Sequence, residues 1–285
     1  MHHLYRSLDV SRVLLVLSGA VVWLLTCLGG MGSHAQESVG PCEPGLARGK
    51  GAPRLTFVAA TRVAETPPEA VTIAWLGHSS FLLTSPKGVR IVTDPHTLHR
   101  PAGAVDTVTV SNLHVTHRGV QGLPGSPRLL WGITPERTWN RLALTIGDVT
   151  LFNVPSYTTR TAPEQSPIHN SMFVFRLGGL CIAHLGNLRH PLTPEQLQRI
   201  GTVDVLMVPV DGGLTLSFEE VLTVIAQLRP LLVIPMHIDL LEQAQLFVQA
   251  TQGRYPVHPV PERSLVLTRQ LLPAATTLVL FGKTP

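Results

Sequence analysis

Nine short apolar runs follow one another between residues 55 and 186, and they limit the fold more than any other feature of this chain. They are "LTFVAA" (55–60), "VTIAWLG" (71–77), "FLLTS" (81–85), "VRIVTD" (89–94), "VDTVTVS" (105–111), "RLLWG" (128–132), "VTLFNV" (149–154), "SMFVFRL" (171–177) and "LCIAHLG" (180–186). Each is short for a globular helix and rich in Val, Ile, Leu and Phe, which suit a pleated, half-buried surface. "SPKG" (85–88) and "LGG" (177–179) are turn signals at hairpin spacing, so the chain is expected to meander through antiparallel pairs.

The second part changes character. "TPEQLQRI" (193–200) begins with Thr193 as an N-cap and Pro194 at the first helical position, and "SFEEVLTVIAQLR" (217–229) repeats the pattern behind Ser217. Val221, Val224, Ile225 and Leu228 then fall on one helical face. After each of these helices comes a nearly uninterrupted apolar strand of the kind buried on both faces, "VDVLMVPV" (203–210) and "LLVIPMH" (231–237). A third helix, roughly Leu240 to Ala250, and two strands, "SLVLT" (264–268) and "TTLVLFG" (276–282), close the chain. This order implies an α/β architecture of two stacked sheets with helices outside and function at the strand ends.

The first 35 residues read as a targeting segment. Arg6 and Arg12 precede the apolar stretch "VLLVLSGAVVWLLTCL", and "SHA" before Gln36 resembles a cleavage site. Uncleaved, residues 13–31 are about long enough to anchor the chain in a membrane. Residues 36–54 read as a flexible Gly/Pro/Ser-rich linker, leaving 55–285 as the folded domain. An exported protein, periplasmic or extracellular and with a possible membrane tether, is the expectation. Cys181 lies in an apolar strand pattern and reads as buried and inert, with a disulfide to Cys42 left open. Although the formal charge is +4, the basic residues are scattered, so no nucleic-acid partner is expected.

Histidine is the unusual entry in the composition, at 13 residues, and the polar groups able to do chemistry gather at strand ends. His78 follows "WLG"; Asp94 and His96 end "VRIVTDPH"; Asn112, His114, Thr116 and His117 follow "VDTVTV"; Thr158 follows "VPSY"; His184, Asn187 and His190 lie along "HLGNLRH"; His237 ends "VIPMH". Strand ends on one edge converge however far apart they are in sequence.

In order and spacing, "WLGHSSFLL", "GVRIVTDP", "VDTVTVSNLHVTH", "VPSY", "AHLGNLRHPLTPEQLQRIGTVDVLMVPVDGG" and "LRPLLVIPMH" resemble the metallo-β-lactamase superfamily, and within it the branch of Zn-dependent hydrolases that includes the ascorbate-6-phosphate lactonase. The resemblance covers roughly Val71 to Asp239 and implies a four-layer αββα sandwich. It also implies a dinuclear metal motif of the form H-x-H-x-D-H, completed by a later histidine, an aspartate and the histidine of "P-M-H". On that pattern His114, His117 and His237 are the retained metal ligands, while Asn112, Thr116, Thr158 and Asn187 stand where the family has His, Asp, His and Asp. His78, Asp94, His184 and His190 fall to supporting or pocket positions, and no residue receives a catalytic role.

Two divalent cations need carboxylates to offset their charge, and both expected carboxylates are missing, so the dinuclear centre is disfavoured. One zinc or other divalent ion on His114, His117 and His237 is the cofactor this set still permits. Two functional readings follow: a catalytically impaired family member serving as a binding or scaffold domain for an unidentified small molecule, or a mononuclear metal-dependent hydrolase of a lactone, ester or phosphoester. The sequence names no substrate.

Overall fold

The computed structural model describes residues 40–43, 67–158 and 166–282. The targeting segment, the run at 55–60 and most of the loop 158–169 lie outside the described residues.

The strands are β1 (Val71–Gly77), β2 (Ser80–Thr84), β3 (Arg90–Thr93), β4 (Thr107–Val110), β5 (Arg128–Trp131), β6 (Ala143–Ile146), β7 (Val149–Tyr157), β8 (Ile168–Leu177), β9 (Leu180–His184), β10 (Val205–Pro209), β11 (Leu232–Met236), β12 (Val257–Val260), β13 (Ser264–Leu267) and β14 (Thr277–Phe281). The helices are α1 (Pro194–Ile200), α2 (Phe218–Leu228) and α3 (Leu241–Ala250). One sheet has the order β13-β1-β2-β3-β4-β5 and the other β12-β14-β11-β10-β9-β8-β7-β6.

The expected hairpins form. β2 pairs antiparallel with β3 across "SPKG", and β8 with β9 across Gly178 and Gly179, both with positive φ. A side chain at Gly178 would meet the Glu69 carbonyl at 2.7 Å as well as the left-handed backbone, so the turn requires glycine there. The meander stops at β3, because β4 and β5 join in parallel. Parallel neighbours need long crossover connections, and residues 94–106 and 111–127 supply them. These crossovers bring Val105, Val120 and Leu123 onto Leu82, Val92 and Val108, and so cover the outer face of the first sheet.

Between the sheets one continuous core joins Ile73, Trp75 and Phe81 to Phe173, Phe175 and Leu278, with Trp75 stacked at 6.2 Å on Phe281. β1 alternates buried and half-buried residues, as a strand with two unlike faces must, whereas β10 and β11 are buried throughout. Thr193 and Ser217 cap α1 and α2 in full capping boxes with Gln196 and Glu220. α2 turns Val221, Val224, Ile225 and Leu228 into the core.

Within the Gly/Pro-rich leader, residues 40–43 lie against the domain. Cys42 is buried, pairs with Gly201 as an isolated bridge and forms a disulfide with Cys181 of β9. Arg176 donates to the carbonyls of Gly40 and Pro41.

Candidate metal centre

Three imidazoles meet where the two sheets touch. β1 ends at Gly77, and His78 turns the chain with φ 52°. β11 ends at Met236, and His237 turns it with φ 61°. The His237 amide donates to the His78 carbonyl at 3.1 Å, and His78 bridges to Ile238, so the ends of the two strands are tied together. Their rings lie 4.2 Å apart between centroids. The third ring is His117, at the end of a 3-10 turn (Val115–His117) after β4, and it is fully buried. It lies 5.4 Å from the His78 ring and 5.3 Å from the His237 ring. One ligand atom from each of the three lies within 4.8 Å of the others.

Each ring is held by a carboxylate through Nδ1. Asp239 Oδ1 lies 3.1 Å from His78, Asp94 Oδ2 2.7 Å from His117, and Asp211 Oδ2 2.8 Å from His237. A carboxylate only accepts, so Nδ1 of each neutral ring carries the proton and Nε2 presents a lone pair. Nε2 of both His78 and His117 is buried without a hydrogen-bond partner. Leaving such an atom unpaired costs about 1–3 kcal/mol, a cost that a bound cation would remove. Carboxylate–imidazole pairs behind a convergent set of ring nitrogens are the arrangement that orients histidines on a metal.

The electrostatics keep these ligands available. Burial first, then the neighbouring His237 and His117, push the His78 pKa down to about 3, against the pull of Asp239. Burial also lowers that of His117, and Asp94 opposes the shift only in part. Burial acts to raise the Asp94 pKa, but His117, His184 and the Ser111 hydroxyl outweigh it and hold the group below the ordinary carboxylate range. Asp211 is well below that range, because hydrogen bonds from His237, the Thr215 hydroxyl and the amides of Gly213 and Thr215 overcome burial. Neutral imidazoles backed by ionised carboxylates are what a divalent cation needs.

The backbone is strained around the same point. His78, Asp94 and His237 account for three of the six non-glycine residues of positive φ among the described residues, a conformation that costs roughly 1–3 kcal/mol each and clusters at functional sites.

Of the residues singled out in sequence, His117 and His237 are in this group, and His78 joins them as the third member in place of His114. The His114 side chain is exposed, with its amide on Asn112 Oδ1 at 2.9 Å and its Nδ1 2.9 Å from the Thr116 hydroxyl. Asn112 is buried and also donates to the Ser111 hydroxyl. Thr158 is exposed and donates to the Pro167 carbonyl, and Asn187 contacts His169 Nε2 at 3.2 Å. Asp94 stands directly behind His117. His184 is a satisfied core residue, 2.8 Å from the Ser79 carbonyl. His190 accepts from the Tyr157 amide and bonds the Pro191 carbonyl, which fixes it as structural. Sequence reasoning missed Asp211 and Asp239. Their signals are an acid at the end of the strand in "VPVDGG" and another two residues beyond the histidine of "PMHID".

The comparisons with known proteins agree with this fold. Residues 72–237 match the family model described as beta-lactamase superfamily domain. A UPF0173 protein of Pyrococcus abyssi is 28% identical over 182 residues, covering 58% of this chain and 82% of the relative. A UPF0173 metal-dependent hydrolase of Methanoculleus marisnigri is 24% identical over 195 residues, covering 59% and 80%. Among solved structures, a protein of Thermotoga maritima proposed as a Zn-dependent hydrolase of the metallo-beta-lactamase superfamily superposes with a TM-score of 0.57 at 28% identity, covering 74% of this chain and 98% of that one. A metal-dependent hydrolase candidate from Parabacteroides distasonis shares the fold with a TM-score of 0.53 at 17% identity, covering 65% and 89%. The two sheets, the strand-end histidines and a family match spanning more than half the chain lead to one conclusion: the chain belongs to the beta-lactamase superfamily domain family and has the metallo-β-lactamase fold of metal-dependent hydrolases.

Proposed function

We propose that this protein is a mononuclear metal-dependent hydrolase of a lactone, ester or phosphoester, with one divalent ion, zinc by ligand type, on Nε2 of His78, His117 and His237. The observation that carries this reading is the pair of buried, unpartnered Nε2 atoms on rings whose Nδ1 atoms are fixed by carboxylates. Three imidazoles with an open fourth position are a zinc donor set suited to catalysis. When bound, such an ion supplies a Lewis acid and lowers the pKa of water to about 7. The chain's own part is to hold three imidazoles in register and to keep their side of the site dry.

A single ion is favoured over two because the positions where the family carries its other ligands are occupied differently. Asn112, Thr116, Thr158 and Asn187 have their polar atoms engaged with Ser111, His114, Pro167 and His169. The same four substitutions favour the second reading, a binding or scaffold domain that has lost hydrolysis.

Zinc loading followed by dialysis and elemental analysis tests the choice. One zinc per chain, lost in His117→Ala, is the expected result; no retained metal overturns the hydrolase reading, and two overturn the mononuclear one.

Export is part of the same proposal. It is supported by the signal-like segment and by the Cys42–Cys181 disulfide, a bond that persists in oxidising compartments. Mass spectrometry of the chain recovered from its native host is expected to find an N-terminus at Gln36 or an intact membrane-bound form.

A further inference from the structure

The His78 ring touches a further imidazole that does not belong to the metal group. Besides His237 and His117, it has His96 beside it, 5.8 Å away between ring centroids and tilted by 50°. His99 in turn stacks on His96 at 5.3 Å. His78 and His117 are buried, whereas His96 and His99 are half-buried. His96 therefore reaches from the closed centre toward solvent, the side from which a substrate arrives.

The loop that carries His96 is fixed to the one that carries His117. The Gly119 amide donates to the Pro95 carbonyl at 2.7 Å, and Arg100 donates to the carbonyls of Gly119 and Gln121. The two backbones lie so close that a side chain at Gly119 would meet the Pro95 carbonyl and the Thr97 amide, each at 2.8 Å. Within the loop the Leu98 amide donates to His96 Nδ1 at 3.2 Å. An amide N–H only donates, so Nδ1 offers its lone pair there and the neutral ring carries its proton on Nε2. This is the reverse of the three metal-facing rings. To serve as a fourth ligand through Nε2, His96 would have to change tautomer and give up the Leu98 bond. What it presents without rearrangement is a donor, and a donor held in place beforehand is the kind that stabilises charge on a reacting oxygen.

We propose that His96 is a catalytic residue of the three-histidine site, donating through Nε2–H to the carbonyl or phosphoryl oxygen of a substrate bound beside His78. The role rests on the metal-hydrolase reading; the tautomer that makes His96 a donor does not.

Calorimetric titration of the zinc-loaded protein with inorganic phosphate reads this bond without turnover. Affinity is expected to fall at least tenfold in His96→Phe, the effect of losing a hydrogen bond to a charged group, and to recover in His96→Gln, whose side-chain amide supplies a donor in place of Nε2–H. Zinc affinity, measured by competition with a chromophoric chelator, should be the same in all three proteins. Proton–nitrogen NMR should find His96 protonated on Nε2 in the free protein, with that signal shifted by phosphate. Equal phosphate affinity in wild type and His96→Phe, no phosphate binding by the zinc form, or a proton on Nδ1 overturns the proposal and leaves the hydrolase reading in place. Loss of zinc in His96→Phe would make the ring a ligand and overturn the donor role. A wild-type protein that retains no zinc removes the hydrolase reading and the proposal together.

Discussion

His117 Nδ1 and Asp94 Oδ2 are 2.7 Å apart, and neither side chain is open to solvent. Asp94 also accepts from the amide and the hydroxyl of Ser111, at 2.7 and 2.5 Å, so one carboxylate fixes both the ring and the start of the loop that carries it. Asp94→Asn keeps the shape and removes the charge. Zinc affinity is expected to fall about 10- to 100-fold, the usual effect of losing such a partner, as read by competition with a chromophoric chelator. Unchanged affinity would remove Asp94 from the centre.

The identity of the third ligand separates the arrangement seen here from the one the family motif suggests. His78→Ala should abolish stoichiometric zinc, whereas His114→Ala should retain it, because His114 is exposed and bonded to Thr116. Elemental analysis of the two variants side by side decides the point, and the reverse pattern restores His114 as a ligand.

Acid should weaken the metal-free protein earlier than its carboxylates alone would. The His78 pKa is lowered from 6.5 to about 3, so between those values the unfolded chain binds a proton that the folded chain does not. Stability contributed by the neutral ring is complete above about pH 6.5 and is lost progressively below it. At pH 5 the loss from this residue is on the order of 2 kcal/mol, and His117 adds to it in the same direction. Asp94 and Asp211, both lowered from 3.8, contribute further losses only as the pH falls below about 4. Urea midpoints at pH 7 and pH 5 check this, and His78→Gln should flatten the difference.

The disulfide closes a sequence separation of 139 residues. On the chain-entropy model a loop of that length stabilises the folded state by about 4–5 kcal/mol. Cys181→Ser is expected to lower the urea midpoint accordingly, and a reductant should have little further effect on the variant. Equal midpoints with and without reductant in the unsubstituted protein would show that the cross-link contributes nothing.

Most of the strand pattern was legible because it depends on local composition. β1, β7 and β10 lie where the apolar runs predict them, and the caps at Thr193 and Ser217 sit on the expected residues. The parallel placement of β4 and β5 was not legible, since apolar content does not encode the direction of a neighbour. The site was legible only in part. His117 and His237 follow strands that end at one corner, but the outward turn of His114 depends on the Asn112 and Thr116 bonds around it, and the inward turn of His78 on a backbone of positive φ. Asp211 and Asp239 were missed because their partners are distant or lie across a turn: Asp239 meets His78 from 161 positions away.

The backbone bond from the His237 amide to the His78 carbonyl joins the two sheets at the point where two of the three imidazoles meet. Any motion that parts the sheets at this corner also pulls those two rings away from each other. Sheet separation and ligand spacing thus become a single coordinate, and release of an ion would be gated by breathing of the protein's own seam. Exchange of that one amide proton reports on both events at once.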